Sequence, residues 1–100
     1  MGVAFPLRNP GDYPSIHRRI KRLLESGSFV ITPYAQRRMA QRGIDLVDVL
    51  HVLEHGSIVG RDRHGEQWRW RVQGATVVGA TASCVVALEE QVIVVTVLEY

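Results

Sequence analysis

A chain of 100 residues, 46% apolar and 22% charged, has the size and make-up of one globular domain around one core, which excludes a disordered tail or a collagen-like chain as its main content. Its one cysteine, Cys84, excludes an internal disulfide and a bridge-stapled secreted domain, so a reducing, cytoplasmic setting is expected. The net charge of +2 is unevenly spread: residues 1–45 hold eight basic against three acidic side chains, residues 46–100 hold four against seven, and eleven of the twelve basic residues are arginine, whose planar fork suits bidentate contacts to a polyanion.

Met1 to Leu7 is too short an apolar run for a secretory leader, and Pro6 stands where a myristoylation signal needs Ser or Thr. Pro6 to Tyr13 reads as a loose entry. Pro14 suits the first turn of a helix that runs to about Ser26 and stops at Gly27, with Asp12 or Tyr13 ahead of it. Ile16, Ile20, Leu23 and Leu24 form its apolar stripe, and Arg18, Arg19, Lys21, Arg22 and Glu25 occupy the rest. Ser28 to Ile31 is a short apolar link, strand or extended.

Thr32-Pro33 is a cap and first-position pair opening a second helix that stops at Gly43. At 100° per residue, Ala35 and Met39 share one side with Arg42 beside them, while Tyr34, Arg37, Arg38 and Gln41 gather opposite. Arg42 is therefore expected to serve the fold, and Tyr34 and Arg38, one turn apart, to be free for a ligand. Asp45 caps a third helix, with Asp48 as a weak capping box and Gly56 as its end. Leu46, Val47, Val49, Leu50, Val52 and Leu53 cover most of its circumference, so it is expected to be the central buried helix.

From Ser57 the period becomes two. Ser57 to Arg63 and Glu66 to Gln73 flank His64-Gly65 as a hairpin, and Trp68, Trp70 and Val72 alternate with Arg69, Arg71 and Gln73, giving a core face and an arginine-bearing face. Beyond a crossing loop or bulge at Gly74 to Gly79, Ala82 to Leu88 and Val92 to Leu98 form a second hairpin across Glu89-Glu90-Gln91. The uncharged stretch Val72 to Leu88 falls short of the roughly 20 apolar residues of a membrane helix, so no membrane is expected as a partner. In the last strand Ile93, Val95 and Val97 oppose Val94, Thr96 and Leu98, and with both sets apolar the strand is expected to be internal. Helices followed by strands predict an α+β fold, N-terminal helices on one face of a four-stranded, mainly antiparallel sheet, with Arg69, Arg71 and Thr96 on the other.

The sequence has no Gly-rich phosphate loop, no H-E-x-x-H, no paired-cysteine zinc spacing and no nucleophile elbow. His51 and His55 are spaced for a metal but want further ligands, which only Cys84 or the distant His17 or His64 offer, so no metal or other cofactor is expected and a metal-dependent enzyme is the weakest reading. Cys84 reads as a packed thiol. Tyr34, Arg38, Arg69 and Arg71 remain as candidate catalytic residues, Arg37, Arg61 and Thr96 as candidate nucleic-acid contacts, and His51, His55 and His64 as mobile protons. Cleaving RNA needs only a base for the 2′-OH proton, cations for the phosphorane-like transition state and an acid for the 5′-oxygen.

The segment Ile31-Thr32-Pro33-Tyr34-Ala35-Gln36-Arg37-Arg38-Met39-Ala40-Gln41-Arg42-Gly43-Ile44, with the Trp/Arg strand and the terminal Val94-Val95-Thr96-Val97, resembles a family of small bacterial domains of unknown function. Its pattern is T-x-H-A-x-x-R-M-x-x-R-G-I with a last strand ending V-T-V; Ala35, Arg38, Met39, Arg42, Gly43 and Ile44 match, over a resemblance spanning about residues 28–98. That family is similar to RelE-like and motility-quorum-sensing-regulator-like toxins, with a barnase, colicin and RelE type of sheet. The resemblance implies a metal-independent, mRNA-cleaving toxin whose partners are RNA and an antitoxin protein carrying a zinc finger and a helix-turn-helix. A second copy of the chain is a further candidate partner. Tyr34 stands where many members have histidine, which keeps open the alternative of a non-catalytic RNA-binding or protein-interaction domain of the same fold.

Overall fold

The computed structural model of the chain describes residues 11–99; the part of the expected entry loop up to Pro10 lies outside them. The first helix, α1 (Tyr13–Glu25), starts where the Asp12 carboxylate accepts the Ser15 N–H at 2.8 Å, with Pro14 in the first turn. Ile16, Ile20 and Leu24 are its buried stripe. Gly27, at φ 75°, then turns the chain into β1 (Phe29–Ile31).

The apolar link is thus a strand, and the sheet has five strands rather than four. β1 pairs in parallel with β5 (Val92–Glu99), Val30 opposite Ile93. Three residues carry no readable period, and their partner lies at the far end of the sequence, so the pairing leaves no local signal. The remaining strands, β2 (Ser57–His64), β3 (Gln67–Ala75) and β4 (Thr81–Leu88), complete an open sheet in the order β1-β5-β4-β3-β2, antiparallel except at β1. With three helices ahead of most of it, the fold is α+β. β5 is internal as expected, between β1 and β4.

Between β1 and the rest of the sheet lie α2 (Pro33–Arg42) and α3 (Leu46–His55). α2 ends in a left-handed Gly43, φ 67°, where the Gly43 and Ile44 N–H groups both reach the Met39 carbonyl and Ile44 is buried. That Schellman closure is the physical content of the Arg42-Gly43-Ile44 triplet. α3 opens on a reciprocal capping box, the Asp45 carboxylate accepting the Asp48 N–H at 3.0 Å and the Asp48 carboxylate accepting the Asp45 N–H at 3.3 Å. Its buried face is Val49, Val52 and Leu53, whereas Leu46 and Val47 are 42% and 62% exposed, so the helix is half-covered rather than central. Leu50 is half-buried against the core, and Leu46 and Val47 face solvent.

One cluster joins these helices to the sheet: Ile16 and Ile20 of α1, Ala35 of α2, Val52 and Leu53 of α3, and Trp70, Val72, Cys84, Val86, Val94 and Val97 below them. Each aliphatic side chain fully buried there stabilises the fold by about 1.5–3 kcal/mol, more than the helix propensities of these short segments supply. A bulge in β5 corrects the expected faces. Thr96 pairs with Val85 but Val94 pairs with Val86, leaving Val95 unpaired, so Val92, Val94 and Val97 face the core and Ile93 moves to the arginine side. The first hairpin turns at Gly65-Glu66, one residue later than expected, with His64 opposite Gln67 and Gly65 at φ 61°. No helix among the described residues is long and apolar enough to cross a membrane.

Candidate functional site

The sheet register sets out the face opposite Trp70 and Val72 as rows of side chains. Gly60, Arg71, Val85 and Thr96 form one row across four strands, and Asp62, Arg69, Ala87 and Ile93 the next. Gly60, brought opposite Arg71 by an extra residue at Val59, leaves open space beside the guanidinium.

Thr32 closes this face into a groove. Its hydroxyl accepts the Ala35 N–H at 3.1 Å and donates to the Val95 carbonyl at 3.1 Å, on the β5 bulge. The same residue that caps α2 therefore pins the start of that helix to the sheet, and Tyr34, 51% exposed, stands over the arginine row. The result is a groove of about 560 Å³ bordered by Tyr34, Asp62, His64, Arg69, Arg71 and Thr96, with Val85 and Val95 as apolar lining. The positive end of the α2 dipole lies at its rim, which favours an anion there.

Of the residues expected at a site, Tyr34, Arg69, Arg71 and Thr96 meet in this groove, and Arg37 stacks on the Tyr34 ring at 5.8 Å. The two sheet arginines differ. Arg69 is half-buried and its Nε donates to Gln67 Oε1 at 2.9 Å, while Gln67 in turn donates to Glu89 at 3.3 Å. Arg71 is exposed and makes no hydrogen bond or ion pair among the described residues.

Arg38 does not border the groove. It is half-buried on α2, its Nε enclosed without a hydrogen-bond partner, so it is not the free side chain its helical position suggested. Arg61 touches the groove's edge, but its guanidinium belongs to the other side of the hairpin, donating to the Gly11 carbonyl at 3.2 Å and lying 5.5 Å from the Trp68 ring centre and 5.8 Å from that of Tyr13. Cross-strand pairing with Trp70 puts it there. Arg42 is exposed.

Only one of the three candidate proton carriers reaches the groove. His64 does so from the hairpin end, whereas His51 holds the Ala75 carbonyl through Nδ1 at 2.9 Å and its ring lies tilted against that of His55, 4.7 Å between centres. Asp62, two residues from His64, is a groove residue that the sequence pattern did not single out; its place follows from its register opposite Arg69. Among the described residues no three His, Cys, Asp or Glu side chains gather as a metal site. Cys84 is fully buried and burial pushes its thiol up to about 12, so it has no nucleophilic character near neutral pH.

The groove thus presents two cations of unequal freedom, a phenol, a hydroxyl, an imidazole and a carboxylate around an open floor. Residues 31–99, which supply every one of these groups, match the family described as a domain of unknown function, DUF4258. The chain belongs to that family. No curated protein and no solved structure matches it. The DUF4258 match takes in α2, α3 and strands β2 to β5, while α1 precedes it.

Proposed function

We propose that the groove binds single-stranded RNA and cleaves it without a metal, as the toxin of a bacterial toxin–antitoxin pair. The observation that carries the reading is Arg71, an exposed guanidinium with no partner among the described residues, facing the same groove as Tyr34, Arg69 and His64. Helices ahead of a largely antiparallel sheet with one open, cationic face are also what a barnase-, colicin- or RelE-like arrangement requires, and they support that finer reading of the fold.

In this reading the scissile phosphate sits between Arg69 and Arg71, whose charge-assisted hydrogen bonds strengthen as negative charge builds on the phosphorane. His64 takes the proton of the 2′-OH, the 2′-oxygen attacks phosphorus as the bond to the 5′-oxygen breaks, and the 5′-oxygen leaves with the proton of the Tyr34 phenol, giving a 2′,3′-cyclic phosphate and a 5′-OH end. Thr96 and Arg37 hold the flanking strand. Arg38, half-buried on the same helix, supports the element that carries Tyr34. The antitoxin would act by covering the cationic groove.

The test is incubation of the purified protein with end-labelled single-stranded RNA in EDTA, with product ends identified chemically. Cleavage to 2′,3′-cyclic ends that is lost in Arg71→Gln supports the reading; activity abolished by chelation and restored by a divalent ion sinks it. A second reading, non-catalytic RNA binding, is favoured by Tyr34 in the position where the resembling sequences carry histidine. Tight binding without any cleavage would select it. Growth arrest on induced expression, relieved by a neighbouring open reading frame, tests the toxin role separately.

A further inference from the structure

We propose that the outward face of α1, with Arg61 and Arg63 of β2, is a second RNA-contacting surface, one that grips the phosphate backbone on the other side of the β2–β3 hairpin from the groove. It involves no chemistry and does not depend on cleavage in the groove.

The first observation is uncompensated charge. Because Ile16, Ile20 and Leu24 are buried, the opposite arc of α1 is set by Arg18, Lys21, Arg22 and Glu25. At about 100° per residue the three cations fall within roughly 100° of arc and within about 6 Å along the axis. Glu25 lies among them, and the Asp12 carboxylate, which accepts the Ser15 N–H, also feels the charge of Arg18, so Lys21 and Arg22 are the least compensated of the three. Lys21 and Arg22 make no hydrogen bond or ion pair among the described residues, and Arg18 reaches only the Ser15 hydroxyl, at 3.1 Å. A face kept merely soluble intersperses both signs.

The second observation lies at the N-terminal end of α1, where the cations of β2 are held in place without being neutralised. Tyr13, the first residue of α1, lies against Arg61, and the Trp68 ring has Arg61 at 5.5 Å and Arg63 at 5.9 Å. Two π faces and the neutral Gly11 carbonyl fix Arg61 while its charge stays available, and both arginines are exposed. Ordering a guanidinium beforehand lowers the entropy lost when it meets a phosphate. Arginines interleaved with aromatic rings are the composition of a nucleic-acid track.

The other anionic partners fit less well. An interfacial membrane helix inserts its apolar face, and that of α1 is occupied by the core. The α1 part of the surface precedes the stretch matched by the family, whereas Arg61 and Arg63 lie within it.

The experiment measures affinity for one uncleavable, 2′-O-methylated RNA across a salt series, using wild type, an Arg18→Gln/Lys21→Gln/Arg22→Gln variant and a groove variant, Arg69→Gln/Arg71→Gln, each checked for cooperative unfolding. The α1 variant is expected to bind at least several-fold more weakly at moderate salt, with a log–log salt slope shallower by about two, the amount for three lost contacts to a single strand. The groove variant should lose affinity independently, so that the two losses add. Unchanged affinity and slope in a folded α1 variant overturn the proposal while leaving the groove reading intact. Binding of phosphatidylserine vesicles or poly-glutamate as tight as that of RNA, and abolished by the same variant, overturns it in favour of a membrane or an acidic protein.

Discussion

Gly74 passes so close to Gly56 that a Cβ on it would stand 2.8 Å from the Gly56 Cα, and a Cβ on Gly56 would stand 2.5 Å from the Gln73 carbonyl oxygen. Here α3 ends and β2 begins against the backbone of β3, and every atom in the way is main chain. The demand is for space, since neither glycine has a positive φ.

Gly56→Ala and Gly74→Ala are therefore expected to destabilise the fold by about 1–3 kcal/mol each, the range for overpacking a site that cannot yield. Gly60→Ala is the control: it sits in a strand with nothing within 4 Å of its would-be Cβ and should change stability by about half a kcal/mol or less. Urea unfolding of the three variants decides it, and equal losses at Gly60 and Gly74 would contradict the crowding argument.

Cys84 supplies a pH test. Burial raises its thiol from 9.0 to about 12 in the folded chain, so above pH 9 the unfolded state ionises first and releases a proton that the folded state keeps. A raised pKa contributes stability in full below the unfolded value and loses it as pH climbs towards the folded one. Stability should fall between about pH 9 and 12, and Cys84→Ala should fall less steeply over the same window. A thiol reagent should react with Cys84 at the rate of global or local opening; rapid labelling of the native protein at neutral pH would refute the burial.

On α2 a second arginine besides Arg42 is tied to the fold. Arg42, expected to serve the fold, lies at the end of the helix, where the Met39 carbonyl receives the Gly43 and Ile44 N–H groups. Arg38 is the arginine with an enclosed, unpaired Nε. Arg38→Ala should lose its stem packing and cost about 1 kcal/mol. Arg38→Met, which keeps the stem and removes the unpaired donor, should unfold no earlier than wild type. A melting temperature for Arg38→Met below that of Arg38→Ala would refute this.

What could be read beforehand was whatever physics writes locally. Thr32-Pro33, Asp45 with Asp48, and Gly43-Ile44 are caps whose donors and acceptors lie within five residues, and the helix boundaries followed from them. The alternation in Trp68 to Gln73 likewise placed Arg69 and Arg71 on the uncovered face. Three things were hidden because they are non-local. The pairing of Val30 with Ile93 made a fifth strand. The bulge at Val95 exchanged the faces of Ile93 and Val94 and gave Thr32 the carbonyl that seats Tyr34 over the groove. The stacking of Arg61 between Tyr13 and Trp68 required α1 to arrive beside the first hairpin.

The two groove arginines, equivalent in the sequence pattern, should separate under substitution. Arg69 is half-buried and its Nε is held by Gln67, which is itself held by Glu89, so part of its hydrogen-bonding capacity goes to tying the start of β3 to the β4–β5 turn. Arg71 is exposed, faces the space left by Gly60, and has its whole fork available. Arg71→Gln is expected to weaken RNA binding more than Arg69→Gln does, and to reduce the log–log salt slope by about 0.7, one phosphate's share for a single strand, with stability changed by about half a kcal/mol or less. Arg69→Gln should do the reverse, lowering the unfolding midpoint through the lost Gln67 contact by about 1 kcal/mol while retaining most of the affinity. Affinity at several salt concentrations, measured beside urea unfolding for both single variants, resolves the two roles. If Arg69→Gln costs the greater affinity, the phosphate lies nearer the hairpin end with His64 and Asp62, and the centre of the site moves along β3 by two residues, roughly 6.6–6.8 Å.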